Sequence, residues 1–431
     1  MLYKSTRDPS GARYTSAEVV KRGIADDGGL YLPESIPTLA KDEIDKLRHV
    51  PYHERAAHIL TKFLTDYSFE ELLDDCRAAY RHESFPSGPA PLARLDDRLF
   101  SLELWHGPTA AFKDMALQLM PRLLTRALKK TGERRAAHIL VATSGDTGKA
   151  ALEGFRDIDQ TRITVFYPEN GVSLVQKLQM ATQTGGNVDV CAVRGNFDDC
   201  QNGVKQLFSD SELALELDRR GAFLSSANSI NWGRLVPQVV YYVSLYCELQ
   251  NCGALRAGDR FCVCVPTGNF GNILAAYIAG LMGVPIKKLI CASNLNNVLT
   301  DFLRTGRYER NRTFHKTMSP SMDILISSNL ERLLYYIAGA DKTREYTAKL
   351  AKTGSYLIAG EEKDKISESF IGYFADETET TAAIQDIFKK YGYLCDTHTA
   401  VAFSCAEKYR RETGDRSIIA VVSTASPYKF A

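Results

Sequence analysis

The chain has 431 residues, 45% hydrophobic and 24% charged, with 53 Lys and Arg against 52 Asp and Glu and a formal net charge of +1. That balance excludes wholesale disorder and leaves no basic footprint for nucleic acid or an anionic membrane. The length predicts about two to four packed units that fold without disulfides or a structural metal.

The opening MLYKSTRDPSG sets Lys4, Arg7 and Asp8 where a signal peptide would need an apolar core, so a cytoplasmic protein is expected. The ten Cys are scattered, with no CxxC pair and no zinc spacing, which predicts reduced, buried thiols and no metal site. Helical patterns follow one another at 17–23, 42–47, 54–65 and 70–81, divided by GG, PES and IPT turn signals. SFPSGPAP, residues 84–91, packs three prolines and a glycine into eight positions and reads as a boundary.

Beyond it the pattern alternates. Strands are predicted at 99–105, 138–142, 163–167, 187–193, 261–265, 289–292 and 418–422, and helices at 115–130, 147–155, 174–182, 198–217 and 272–282. Short β-branched runs separated by helices predict an α/β fold with two open, mostly parallel sheets flanked by helices, behind a mainly helical N-terminal region. The longest apolar stretch, 270–286, is broken by Gly271, Asn272, Gly280 and Gly283 and is too short to span a bilayer.

In such sheets ligands sit at the carboxyl ends of strands. Three loops there carry chemistry. Pro266-Thr267-Gly268-Asn269-Phe270-Gly271-Asn272 joins a strand to a helix N-terminus, a setting that cradles phosphate, although it is neither a Walker A loop nor GxGxxG. Ala142-Thr143-Ser144-Gly145-Asp146-Thr147-Gly148 offers hydroxyls and backbone N–H groups to a carboxylate, or simply an N-cap from Ser144 or Asp146. In HGPTAAFKD, Lys113 follows an apolar strand and precedes a helix. A lysine among apolar groups loses its proton readily, as a Schiff-base lysine must. A reactive amine together with an anion nest suggests pyridoxal phosphate.

HGPTAAFKD, ATSGDTG, SANSINWGR, PTGNFGN and STASPYKF occur in that order, and all five resemble motifs of the threonine synthase family. The opening YTSAEVVKRGIADDGGLYLPESIP resembles that family's N-terminal domain, so the likeness covers essentially the whole chain. It implies a fold type II pyridoxal 5'-phosphate enzyme, monomeric or homodimeric. The expected reaction converts O-phospho-L-homoserine and water to L-threonine and phosphate. It also implies an N-terminal domain over 1–90, a large cofactor-binding α/β domain over 91–135 and 220–431, and a small α/β domain over 136–219. Carried over by position, Lys113 resembles the Schiff-base lysine, and Gly268, Asn269, Phe270, Gly271 and Asn272 the cofactor-phosphate loop. Thr424, rather than its neighbour Ser423, matches the hydroxyl near the pyridine nitrogen. Thr143, Ser144, Gly145, Asp146 and Thr147 match the substrate-carboxylate loop, and Asn228, Ser229 and Arg234 the substrate-phosphate site.

Two features depart from the family pattern. Ser426 stands where relatives often carry His, and the sequence stops one residue after Phe430, where relatives carry a further tail. Two rival readings are a phospholyase or dehydratase on the same fold, releasing a 2-oxo acid, and a non-catalytic relative. The retained Lys113 speaks against the second, and the lack of a GxGxxG strand–helix unit speaks against a nicotinamide enzyme.

Overall fold

The computed structural model describes residues 1–430. The N-terminal helices, Ser16–Arg22, Lys41–Arg48, Tyr52–Phe63 and Phe69–Ala79, lie close to the expected positions. Thr15 and Ser68 begin two of them with full capping boxes, each closed by a Glu three residues on. The first three helices pack on the helix Trp232–Asn251, which is buried along almost its whole length and gave no amphipathic period to read, and Phe69–Ala79 packs on Tyr52–Phe63.

Among the described residues two larger sheets organise the remainder. The first has six strands in the order Phe370–Phe374, Ile286–Ser293, Phe261–Pro266, Ile419–Ser423, Leu99–Glu103 and Leu92–Arg94, parallel except for the last pair. The second has four parallel strands in the order Val188–Val193, Thr161–Pro168, Ala136–Ala142 and Ala222–Ser226. Ala222–Ser226 lies beyond the expected boundary at residue 219, yet it pairs with Ala136–Ala142. The smaller sheet therefore extends to Ser226, because its edge strand is added from the far side of the crossover Phe197–Arg219.

Other differences have local causes. The expected helix over 115–130 is two, Asp114–Leu117 and Met120–Lys130. Pro121 has no N–H for the Leu117 carbonyl and is tolerated only in the first turn of the second helix. The freed Leu117 carbonyl abuts Gly154, where a Cβ would lie 2.0 Å away, so the helix after Lys113 and the helix Asp146–Phe155 meet backbone to backbone. The expected helix 198–217 is also split, and Asp210 caps the second part, accepting from the Glu212 and Leu213 N–H groups at 2.9 Å. The 270–286 stretch becomes the buried helix Gly271–Leu281 and a turn, and no helix among the described residues is long and apolar enough to cross a membrane. All ten cysteines are free thiols; Cys191 and Cys252 are exposed and the other eight buried.

Candidate active site

The strands Phe261–Pro266, Ile419–Ser423 and Leu99–Glu103 are neighbours, and their carboxyl ends lead to the Gly268 loop, to Thr424 and to Lys113. Ala136–Ala142 and Ala222–Ser226, neighbours in the second sheet, lead to the 143–147 loop and to Asn228 and Ser229. Sheet order thus gathers motifs that are up to 311 residues apart in sequence. That distance is the separation of Lys113 and Thr424.

Lys113 is largely buried, with its Nζ 3.3 Å from Asp146 Oδ2 and 4.9 Å from the Phe112 ring centre. Burial pulls its pKa below the ordinary lysine value, and Asp146 opposes that pull only in part. Asp146 is itself buried, which disfavours its charge, but Lys429 and Lys113 outweigh burial and hold the carboxyl well below the usual range. Its Oδ1 accepts from Gln176 Nε2 at 3.0 Å and its Oδ2 from Ser321 Oγ at 3.2 Å.

The Gly268 loop has its carbonyls tied outward. Ser327 Oγ donates to the Gly268 carbonyl at 2.7 Å, and the Asn329 backbone and side-chain amides both donate to the Asn269 carbonyl at 3.1 Å. The N–H groups of Gly268, Asn269, Phe270, Gly271 and Asn272 have no acceptor among the described residues. Phe270 adopts a left-handed φ of +63°, a conformation that costs a bulky residue energy. Its ring, buried against Phe370 at 5.6 Å, holds it there. Asn272 Oδ1 accepts from Tyr241 and Tyr242 at 2.6 Å each, while its buried Nδ2 has no partner. A row of free N–H groups at a helix N-terminus, with an orphaned amide beside it, is a nest for an anion. These residues fit the phosphate of a pyridoxal cofactor, as Lys113 fits its aldehyde.

The hydroxyls of Ser423 and Thr424 divide as strand alternation requires. Ser423 Oγ accepts from Trp105 Nε1 at 3.1 Å and lies 3.2 Å from Thr399 Oγ1. Thr424 is bound through its backbone, to Phe112 and Thr399, and its hydroxyl has no partner among the described residues.

In the second loop Thr143 Oγ1 accepts from the Gly145 and Gly148 N–H groups at 2.9 Å, which shapes the turn. The N–H groups of Ser144, Asp146 and Thr147 remain without acceptors among the described residues. Asn228 sits beneath the strand ends, donating to the Ala142 carbonyl at 3.4 Å, and Ser229 Oγ accepts from Asn329 Nδ2 at 3.1 Å. Arg234 is buried in the first turn of Trp232–Asn251, not on the surface. It donates to the Ala227 carbonyl at 2.8 Å and faces Thr147 Oγ1 at 3.5 Å, with no carboxylate partner among the described residues. Burial pushes its guanidinium from 12.5 down to about 10. Sequence reasoning missed Gln176, Ser321 and His398, which carry no motif of their own, and left Lys429 without a role inside a motif it quoted.

An anion nest, a buried amine of lowered basicity and a free hydroxyl at three adjacent strand ends are what a pyridoxal phosphate group would need in an α/β fold. Comparison with known proteins agrees. Residues 83–424 match the family described as pyridoxal-phosphate dependent enzyme, and residues 2–80 match the threonine synthase N terminus. Threonine synthase of Pseudomonas aeruginosa is 38% identical over 436 residues, covering 100% of this chain and 89% of that protein. The crystal structure of pyridoxal-phosphate-bound threonine synthase from Brucella melitensis superposes with a TM-score of 0.90 at 39% identity, covering 100% and 89% of the two chains. Threonine synthase-like 1 of Homo sapiens is 42% identical over 96% of this chain, which spans only 57% of that protein's length. The chain belongs to the threonine synthase family, and its cofactor is pyridoxal phosphate.

Proposed function

We propose that the chain is a threonine synthase, converting O-phospho-L-homoserine and water to L-threonine and phosphate in the cytoplasm. The observation that carries this reading is Arg234, a buried guanidinium without a carboxylate partner beside the 143–147 loop. A buried cation left unpaired is costly, and a phosphate-bearing substrate would supply the missing charge through a bidentate contact.

Bound pyridoxal phosphate supplies an electron sink for negative charge developing next to the amine-bearing carbon. The chain's own residues do the rest. Backbone N–H groups of Ser144, Asp146 and Thr147 hold the substrate carboxylate, and Arg234, with Asn228 and Ser229, holds its phosphate. Lys113, freed when the substrate amine takes its place, would take the proton from Cα and hand it to the cofactor before taking a second from Cβ, after which the Cγ–O bond breaks and phosphate leaves. The proton held by Lys113 would go to Cγ, which becomes the methyl group, water would add its hydroxyl to Cβ with its other proton leaving on the phosphate, and the Cα proton would be restored before threonine departs. Asp146, through its contacts with Lys113 and Ser321, joins loops of the two sheets across the site.

A phospholyase would use the same residues and release 2-oxobutyrate. Incubation of the cofactor-loaded protein with phosphohomoserine distinguishes the two. Threonine and phosphate in equal amounts are expected; 2-oxobutyrate would overturn the proposal in favour of the lyase. Lys113→Ala is expected to abolish the visible absorbance and turnover. Borohydride reduction that placed the pyridoxyl group on another lysine would overturn the role of Lys113.

A further inference from the structure

The C-terminal segment is built onto the stretch that carries Lys113. Phe112 N donates to the Thr424 carbonyl at 2.8 Å, Ser426 N donates to the Ala110 carbonyl at 3.0 Å, and Ala111 bridges to Ala425. Ser426 caps the last turn by accepting from the Tyr428 N–H. That turn delivers Lys429 inward. Lys429 is 4% exposed; its Nζ donates to the Thr109 carbonyl at 2.7 Å and pairs with Asp146 Oδ1 at 3.0 Å. Lys113 meets the other oxygen of the same carboxylate. One buried carboxylate is therefore shared by two ammonium groups, of which only Lys113 has a chemical role.

From this arrangement we infer that Lys429 is a positioning residue for Lys113, acting through Asp146: it anchors the carboxylate and competes for its charge, so that Lys113 releases its proton more readily. The inference rests on the role assigned to Lys113 above. If Asp146 faced Lys113 alone, the pair would favour the ammonium form, which is neither nucleophile nor base. The other charged groups facing the amine act in the same sense as Lys429. Arg234, from Trp232–Asn251, lowers its basicity too. On the amine's own helix the Asp114 carboxylate is turned away, bound by Thr109 N at 2.8 Å and Thr109 Oγ1 at 2.7 Å. His398, from the helix Thr397–Thr413, acts on Asp146 and not on Lys113 directly. Its Nε2 accepts from the Ser321 N–H at 3.2 Å, and its Nδ1 is held by Asp396 at 2.8 Å.

The test is a pH titration of the visible absorbance of the cofactor-loaded protein, which reads the protonation of the lysine–cofactor conjugate without substrate or turnover. K429M is expected to move the midpoint to higher pH, K429R to restore it, and D146N to move it to lower pH. An unchanged midpoint in K429M, or displacement of K429M and D146N in the same direction, would overturn the inference. If K429M does not fold, K429Q, which keeps a donor for the Thr109 carbonyl, carries the same expectation and the same refutation. Because no threonine is measured, the inference can fail while the proposed reaction stands, and the reverse.

Discussion

Replacing Arg234 by Met sets two effects of opposite sign against each other, and the structure gives the size of each. Depression of the guanidinium from 12.5 to about 10 corresponds to about 3 kcal/mol of destabilised charge in the ligand-free protein. Met keeps the apolar stem and removes that charge, but it leaves the Ala227 carbonyl without its donor, at a cost of about 1–2 kcal/mol. The net expectation is a gain of about 1–2 kcal/mol, a rise of about 1–3 °C in melting temperature for a chain of this size. Binding moves the other way. Loss of a charge-assisted phosphate contact in a desolvated site costs about 2–5 kcal/mol, or roughly 30-fold to several thousand-fold in affinity. Thermal melts of both proteins with and without phosphohomoserine, alongside an unphosphorylated homoserine analogue, read both effects. Arg234→Met should melt higher when free, gain little from phosphohomoserine, and bind the unphosphorylated analogue as the parent does. A variant that melts lower and loses both ligands equally would refute the reasoning and make Arg234 a structural residue.

Three further outcomes follow from single contacts. Burial raises the Asp114 carboxyl from 3.8 to about 6, against the two donors of Thr109. Its folded-state pKa lies above the unfolded one, so about 3 kcal/mol of stability present below pH ~4 is lost as pH rises through ~6. Asp114→Asn should lack that slope in urea denaturation between pH 4.5 and 7; parallel pH profiles for the two proteins would exclude the assignment. A Cβ at Gly268 would lie 2.8 Å from the Ser321 carbonyl, so Gly268→Ala must move the loop. It should weaken pyridoxal phosphate about 5-fold to 150-fold in an absorbance titration, from about 1–3 kcal/mol of overpacking, and undiminished binding would deny the loop its role. Thr424→Ala should perturb the cofactor spectrum with little change in stability, while Ser423→Ala, which strips the Trp105 partner, should cost about 1–2 kcal/mol with the spectrum unchanged. The reverse pattern would exchange the two hydroxyls.

The N-terminal helices were legible because each carries its own start signal and an apolar period, as Thr15 with Glu18 and Ser68 with Glu71 show. The parallel strands were legible for a similar reason: β-branched runs between helices need no distant partner to be recognised. The reactive loops were readable as strand–loop–helix turns, since local glycine and hydroxyl chemistry dictates their shape. What stayed hidden depends on contacts between distant residues. Trp232–Asn251 is buried on nearly every side because the N-terminal helices and the helices Asp114–Leu117, Met120–Lys130 and Gly271–Leu281 enclose it, so no period marked it and Arg234 could be mistaken for a surface charge. Ala222–Ser226 joins the smaller sheet only because its edge pairs with Ala136–Ala142. Lys429 looks like any basic residue near a chain end until the 424–429 segment pairs with 109–112 and carries its ammonium to Asp146. Sequence by itself determined the local elements and the chemistry available. Which charges meet, and so which amine can lose its proton, was decided by sheet order and burial, because electrostatic energies depend on distance and desolvation that no linear spacing encodes.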